Sequence, residues 1–366
     1  MTDQDDALGE PRATAELMGH EAAEETLLEA VAADRLHHAW LITGPKGIGK
    51  ATLAYRFARH LLAYPPAARG AGLFGDLPSA PPHSLYLPPD HPVFRQVAAE
   101  AHPDLMTVKR GLTDEGRLRG EIVIEEVRAL VEFFAKTSGA GGWRIAIVDS
   151  VDELNRNAAN ALLKVLEEPP ARAILLLVSH APGRVLATIR SRCRRLPLRP
   201  LSTGEIDLFL AAHGSDIDDH GRQVIAALAD GSPGTALRLA RDGGLDLYHR
   251  LISVLTGLPT LDAKTALGLA DELGGRGAED KFRLFGFLLG GILGRVACVA
   301  GGGLPGLIVP GEEETLRRLA AECGLDPWAE LWEKSTALIE RADAIKLDRR
   351  QVAVALLYDL ARTVRP

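Results

Sequence analysis

At 366 residues, and roughly 100–200 residues per domain, the chain has room for two or three domains. Its 46% apolar residues and mean hydropathy of +0.03 suffice to bury real cores and exclude a mostly disordered chain. The net charge is −7, split as −1 over residues 1–200 and −6 over the rest, which argues against a uniformly basic nucleic-acid binder; one local exception is residues 169–204, with seven arginines and no acid.

The acidic start, MTDQDDALGEP, is followed by no apolar core of the kind an export signal carries, so a cytoplasmic location is expected. Residues 21–33 then place Ala23, Leu27, Leu28 and Val31 near helical spacing, and the apolar run Ala39-Trp40-Leu41-Ile42 reads as a buried strand. A glycine loop, Gly44 to Gly49, leads into a helix on which Leu53, Phe57 and Leu61 recur every four residues. Between Tyr64 and Pro92 fall eight of the 22 prolines, too closely spaced for a helix or a central strand, which predicts a loop-like, mobile insert over 64–100.

Strand and helix then alternate: strand 105–108, helix 124–136, strand 145–148, helix 158–168, strand 174–178. Short apolar strands between amphipathic helices predict an α/β fold with a mostly parallel sheet covered on both faces. After Pro200 only helices are predicted, nine of them between Thr203 and Val364, with Asp348 as N-cap of the last. The expected organisation is a P-loop domain over 1–200, a small helical domain over 201–244 and a second helical domain over 245–366. The longest apolar run, Leu284 to Gly294, ends at Arg295 and is too short to span a bilayer.

Cys193, Cys298 and Cys323 lie far apart with no C-x-x-C pair, so neither a disulfide framework nor a cysteine-rich zinc module is expected, and the thiols should be reduced and mostly buried. His37 and His38 are adjacent and His20 is near in sequence, but adjacent side chains on an extended chain point to opposite sides; structural roles and no metal site are expected.

The loop Gly44-Pro45-Lys46-Gly47-Ile48-Gly49-Lys50-Ala51-Thr52 nearly fits G-x-x-x-x-G-K-[ST] and stands between a strand and a helix, as that phosphate-cradling motif must. Gly44, Gly47, Gly49 and Lys50 are the candidate phosphate contacts. The hydroxyl that should reach Mg²⁺ is missing, because Ala51 occupies its position, and Thr52 lies about 100° further round the helix. Asp149 ends a buried strand, as the metal-side carboxylate of such a site should, but the next residue is Ser150, where a hydrolysing site has a water-polarising glutamate. Asp152 and Glu153 beyond it read as a solvated helix start. Nucleotide binding is expected to be degenerate and hydrolysis absent.

Beyond these motifs, Gly19-His20, the run Leu36-His37-His38-Ala39-Trp40-Leu41-Ile42-Thr43-Gly44-Pro45, His102-Pro103-Asp104-Leu105, the run from Asn160 to Pro170 (NALLKVLEEPP), and Ser191-Arg192-Cys193 resemble the bacterial clamp-loader AAA+ subunits over residues 17–200. The resemblance implies a P-loop AAA+ domain, a helical lid and a C-terminal all-helical collar that assembles with gamma/tau and delta subunits, acting with the sliding clamp and primer-template DNA. Within that family Ala51, Ser150 and Gly231-Ser232-Pro233-Gly234, which lacks a sensor-2 arginine, favour the non-hydrolysing delta-prime type over the gamma/tau ATPase type, as does a chain that stops at Pro366 without a tau-like extension. No cofactor is then required, and ATP or ADP would be held without turnover. Arg192 of S-R-C is implied as an arginine finger for the nucleotide of a neighbouring subunit, with Cys193 packing as a small apolar residue. A P-loop nucleotide kinase fits less well, since helical bundles stand where an arginine-lined second substrate domain would be needed.

Overall fold

The computed structural model describes residues 9–65, 83–113, 116, 118–136, 142–213, 217–304, 308–309 and 311–364. Most of the proline-rich insert therefore lies outside the described residues. The chain forms two compact units, Met1–Phe209 with Gly231–Gly234, and Leu210–Asp230 with Thr235–Pro366. The boundary expected near residue 245 falls inside the second unit.

In the first unit, α1 (Glu21–Ala32) precedes the buried strand β1 (Ala39–Thr43), which runs through the glycine loop into α2 (Lys50–Ala63). Where the sequence predicts only loop, a short α3 (Pro92–Ala98) forms, with Pro92 in its first turn and the His91 ring accepting the Val93 N–H at 3.2 Å. The next elements alternate as the apolar pattern predicts: β2 (Leu105–Val108), α4 (Ile124–Ala135), β3 (Arg144–Asp149), α5 (Arg156–Glu167) and β4 (Ala173–Ser179), after which a short α6 (Ala187–Arg192) follows. A fifth strand, β5 (Arg194–Pro197), was not predicted, and it pairs with β1 rather than with its sequence neighbour β4.

All strand pairs are parallel and the order is β2-β3-β4-β1-β5. Alternate residues sort to the two faces: Trp40, Ile42, Ile145, Ile147, Leu176 and Val178 pack toward α1 and α2, while Leu41, Ala146, Val148, Leu175 and Leu177 pack toward α4, α5 and α6. Both faces are covered, as expected of an α/β sheet of this type.

The N-terminal segment is fastened across α2 by two buried arginines. Arg59 donates to the carbonyls of Arg12 (3.0 Å) and Thr14 (2.7 Å) and stacks over Phe94, while Arg56 pairs with Glu24 at 2.7 Å. Burial and the neighbouring Arg56 lower the Arg59 pKa to about 10.

Helices alone follow: α7 (Thr203–Ala212), α8 (Asp219–Leu228), α9 (Pro233–Arg241), α10 (Gly244–Thr256), α11 (Ala263–Leu273), α12 (Glu279–Ala300), α13 (Glu312–Cys323), α14 (Leu325–Ile345) and α15 (Arg349–Thr363). Asp348 caps α15 through the Gln351 N–H at 3.2 Å. Helix α12 is longer than its apolar run suggested and, at 22 residues, is long and apolar enough to cross a membrane by length and composition. Its buried residues, among them Phe282, Phe285, Leu289, Ile292 and Val296, nevertheless belong to the core of the second unit. Gly286 allows the close packing of α14, for a Cβ there would lie 2.8 Å from Ile339.

The second unit also holds a charged group at its centre. Glu312, with no exposed surface, accepts from the Tyr248 hydroxyl (2.7 Å), from Arg295 Nε (2.9 Å), and from the N–H groups of Ile308 and Val309 (3.1 and 3.3 Å). With this many donors the buried carboxylate is fully compensated.

Candidate functional site

The carboxyl ends of β1, β3 and β4 converge on the glycine loop, which is where open parallel sheets place ligands. Gly44, Gly47 and Gly49 all have positive φ (150°, 77° and 101°). A Cβ at Gly44 would come within 2.7 Å of the Leu198 carbonyl oxygen, and one at Gly49 within 2.6 Å of Leu17, so glycine is required at both for conformation and for space. The loop thus has the backbone shape of a phosphate cradle. Gly49 is the N-cap of α2, whose first residue, Lys50, is buried and donates to the Pro45 carbonyl within the loop itself.

The cradle fits a phosphate better than it fits a metal ion. Ala51 is buried in the first turn of α2 and carries no oxygen, and Thr52, one position on, is also buried. Asp149 stands at the end of β3 as predicted. Ser150, 2% exposed, has a hydroxyl with no hydrogen-bond partner among the described residues, and it cannot supply the charge of a glutamate. Asp152 and Glu153 are not the solvated helix start that was expected: they form a short 3-10 turn in which Asp152 accepts the His180 N–H at 2.9 Å and Glu153 pairs with Arg110 at 3.1 Å. Both carboxylates are thereby committed to holding the loops at the sheet edge.

A cavity of about 500 Å³ opens beside the loop, lined among others by Lys46, Tyr55, Thr107, Asp149, Ser150 and His180. The Tyr55 hydroxyl bonds Thr107 Oγ1 at 2.9 Å, and burial pushes its pKa up to about 12. Tyr55, Thr107 and His180 were not singled out in the sequence, because nothing in one-dimensional spacing relates α2 to β2 or to the end of β4.

Further along the loop, His20 is buried with Nε2 2.6 Å from the Ile48 carbonyl oxygen, and desolvation lowers its pKa. The Gly231–Gly234 segment closes on the same loop: Gly234 N–H donates to the Gly47 carbonyl at 3.1 Å, and a Cβ at Gly234 would sit 3.2 Å from that oxygen. His37 and His38 stack, with ring centroids 4.4 Å apart, instead of pointing to opposite sides; each bonds a backbone carbonyl, Ala39 at 2.8 Å and Leu166 at 3.2 Å. Among the described residues no group of three or more potential metal ligands occurs.

Arg192 is distant in sequence from this loop and ends α6. Its side chain is 36% exposed; Nη2 pairs with Glu167 Oε1 at 2.8 Å, and Nη1 donates to the Thr188 carbonyl at 3.0 Å. Cys193 packs partly against the core on the α4, α5 and α6 side of the sheet, and burial raises its thiol pKa to about 12. None of the three cysteines is buried in full, contrary to expectation: Cys193 and Cys323 are half-buried and Cys298 is exposed. Glu167 was part of the NALLKVLEEPP run but was not assigned a role from sequence, since its partner lies 25 residues further on.

Comparison with known proteins adds independent information. Residues 89–202 match the family "DNA polymerase III, delta subunit". The chain is 36% identical over 208 residues to the DNA polymerase III subunit delta' of Pseudomonas aeruginosa, covering 56% of each chain, and 30% identical over 217 residues to that of Bacillus subtilis, covering 59% of this chain and 57% of the relative. The matched stretch thus spans a little over half the length of these curated relatives. A DNA polymerase III gamma subunit-related protein from Thermotoga maritima aligns over 93% of this chain and 100% of its own, with a TM-score of 0.46 and 15% identity. Over a little more than half of its length the chain is thus similar to DNA polymerase III delta' subunits, and within its first unit residues 89–202 match the DNA polymerase III delta subunit family.

Proposed function

We propose that the chain is a non-hydrolysing subunit of a clamp loader, which acts through its neighbours' nucleotides and holds ATP or ADP without turnover. The observation that carries this reading is the mismatch within one site: the glycine cradle keeps its phosphate-binding shape, while Ala51 at the start of α2 offers no metal-ligating hydroxyl and Ser150 after β3 no water-polarising carboxylate. Phosphoryl transfer is catalysed mainly by positioning and by neutralising charge with the metal, so a site lacking both parts loses most of its rate. Lys50 would still serve a bound phosphate by turning from the Pro45 carbonyl.

Under this reading the subunit assembles in the cytoplasm with gamma/tau and delta subunits through its C-terminal helices, and serves the sliding clamp and primer-template DNA through that complex. Arg192 then acts in trans. Its planar fork of donors suits phosphate oxygens, and its half-exposed place at the end of α6 leaves it within reach of a docked neighbour.

Two measurements test the proposal. The pure chain should show no ATP turnover above background; a rate of about 1 s⁻¹, stimulated by primed DNA and abolished by Lys50→Ala, would overturn it. In a loader reconstituted with gamma/tau and delta, Arg192→Ala should lower DNA-dependent turnover, with the one affected site losing a factor of roughly 10³–10⁵ and bulk turnover falling only in part. Arg192→Lys should be impaired as well, and the exposed Arg199→Ala should behave as wild type.

A further inference from the structure

We propose that Glu167 is a latch on Arg192: a carboxylate that occupies the finger while the subunit is idle and competes with the neighbour's phosphates for it. This inference rests on the in-trans role proposed above and adds a regulatory partner within this chain.

The geometry carries it. Both terminal nitrogens of Arg192 are engaged inside the subunit, Nη2 with Glu167 Oε1 at 2.8 Å and Nη1 with the Thr188 carbonyl at 3.0 Å. A guanidinium finger works by presenting that fork and its positive charge to anionic oxygens. With the carboxylate in contact, the charge is locally neutralised and the fork is turned onto its own helix, so engagement of a phosphate must displace Glu167. The two residues end adjacent elements, Glu167 the last residue of α5 and Arg192 the last of α6, so the contact requires no rearrangement of the fold to open or close.

The strength of the pair suits a latch rather than a lock. The side chains are 36% and 50% exposed, and ion pairs in such settings contribute little, the equivalent of a factor of about five or less in an equilibrium. Other arginines of the same basic segment show what an unlatched one looks like. Arg194 lies over the Trp40 ring with 4.8 Å to the centroid, and Arg190 donates to the Pro182 carbonyl at 3.3 Å.

The test uses the reconstituted loader with ATP, comparing wild type, Glu167→Gln, Arg192→Ala and the double variant. Glu167→Gln should raise basal turnover by up to about fivefold at low ionic strength, without changing the KM for ATP, and the gain should shrink toward none at about 0.5 M salt, where an exposed pair is screened. The double variant should match Arg192→Ala alone. A merely structural role for Glu167 would change the melting temperature and not this salt-dependent kcat. If Glu167→Gln equals or falls below wild type while Arg192→Ala is impaired, the latch is wrong and the finger stands. If Arg192→Ala retains full turnover, the finger reading fails and the latch falls with it.

Discussion

The His20 imidazole, enclosed beneath the glycine loop and bonded to the Ile48 carbonyl, illustrates how a single side chain links stability to pH. Burial lowers its pKa below the ordinary value of 6.5, and burial is also the leading cause of the lowered values of His38 and His102. In each case the unfolded chain binds a proton more readily than the folded one. The stabilising difference is therefore fully present above about pH 6.5 and is lost as pH falls from there toward the folded-state pKa. The urea midpoint of the chain should drop between pH 7.5 and pH 5.5, and His20→Gln should make that drop smaller; a midpoint that holds or rises on acidification would contradict the assignment. The carboxylates with lowered pKa, such as Glu205 and Glu272, titrate below this window and leave it to the histidines.

Among the strands of the described residues, β5 was the one the sequence pattern concealed. A central strand must bury side chains on both faces and so reads as an apolar run, as Ile145 to Val148 and Ile174 to Val178 do. As an edge strand, β5 needs only its backbone to pair with β1 and one side chain, Leu196, to reach the core; its neighbours Arg194, Arg195 and Pro197 are exposed. Charges and a proline on an edge also discourage another chain from pairing there. With so few contacts, β5 should depend heavily on Leu196. Leu196→Ala should cost about 2 kcal/mol, measured by urea unfolding, and should loosen hydrogen-exchange protection in β5 before β3. The loop and the strand before it were legible because that motif is contiguous, and Asp149 because it ends an apolar run. The cavity wall and the Glu167 contact were not, because they arise from elements that meet only after the chain has folded.

At the level of the whole molecule, the two compact units rest on different kinds of core. The first relies on apolar side chains alternating across a sheet. The second combines an apolar helix, α12, with the buried Glu312, which ties α10, α12 and the 308–309 turn together. Removing the carboxylate leaves Tyr248, Arg295 and two backbone N–H groups without their acceptor, and loss of one partner from such a buried set costs about 3 kcal/mol. Glu312→Ala should thus speed amide exchange in peptides from α10, α12 and α13, while peptides from β1, β3 and β4 keep wild-type protection. Equal loss in both units would show that their stabilities are not separable.

The strand order has a further consequence, for the route by which the sheet is built. Strand β1 emerges first from the ribosome, yet its hydrogen-bonding neighbours are β4 and β5, so Ala39 must wait for Leu175 and Trp40 for Arg194. Until those residues have been synthesised, the four apolar side chains from Ala39 to Ile42 have no strand on either side. Parallel pairings this distant in sequence form slowly, because much chain entropy is lost before any contact compensates for it. The interval between translation of β1 and of β5 is therefore when the nascent chain is most exposed to aggregation, and when chaperone capture would matter most.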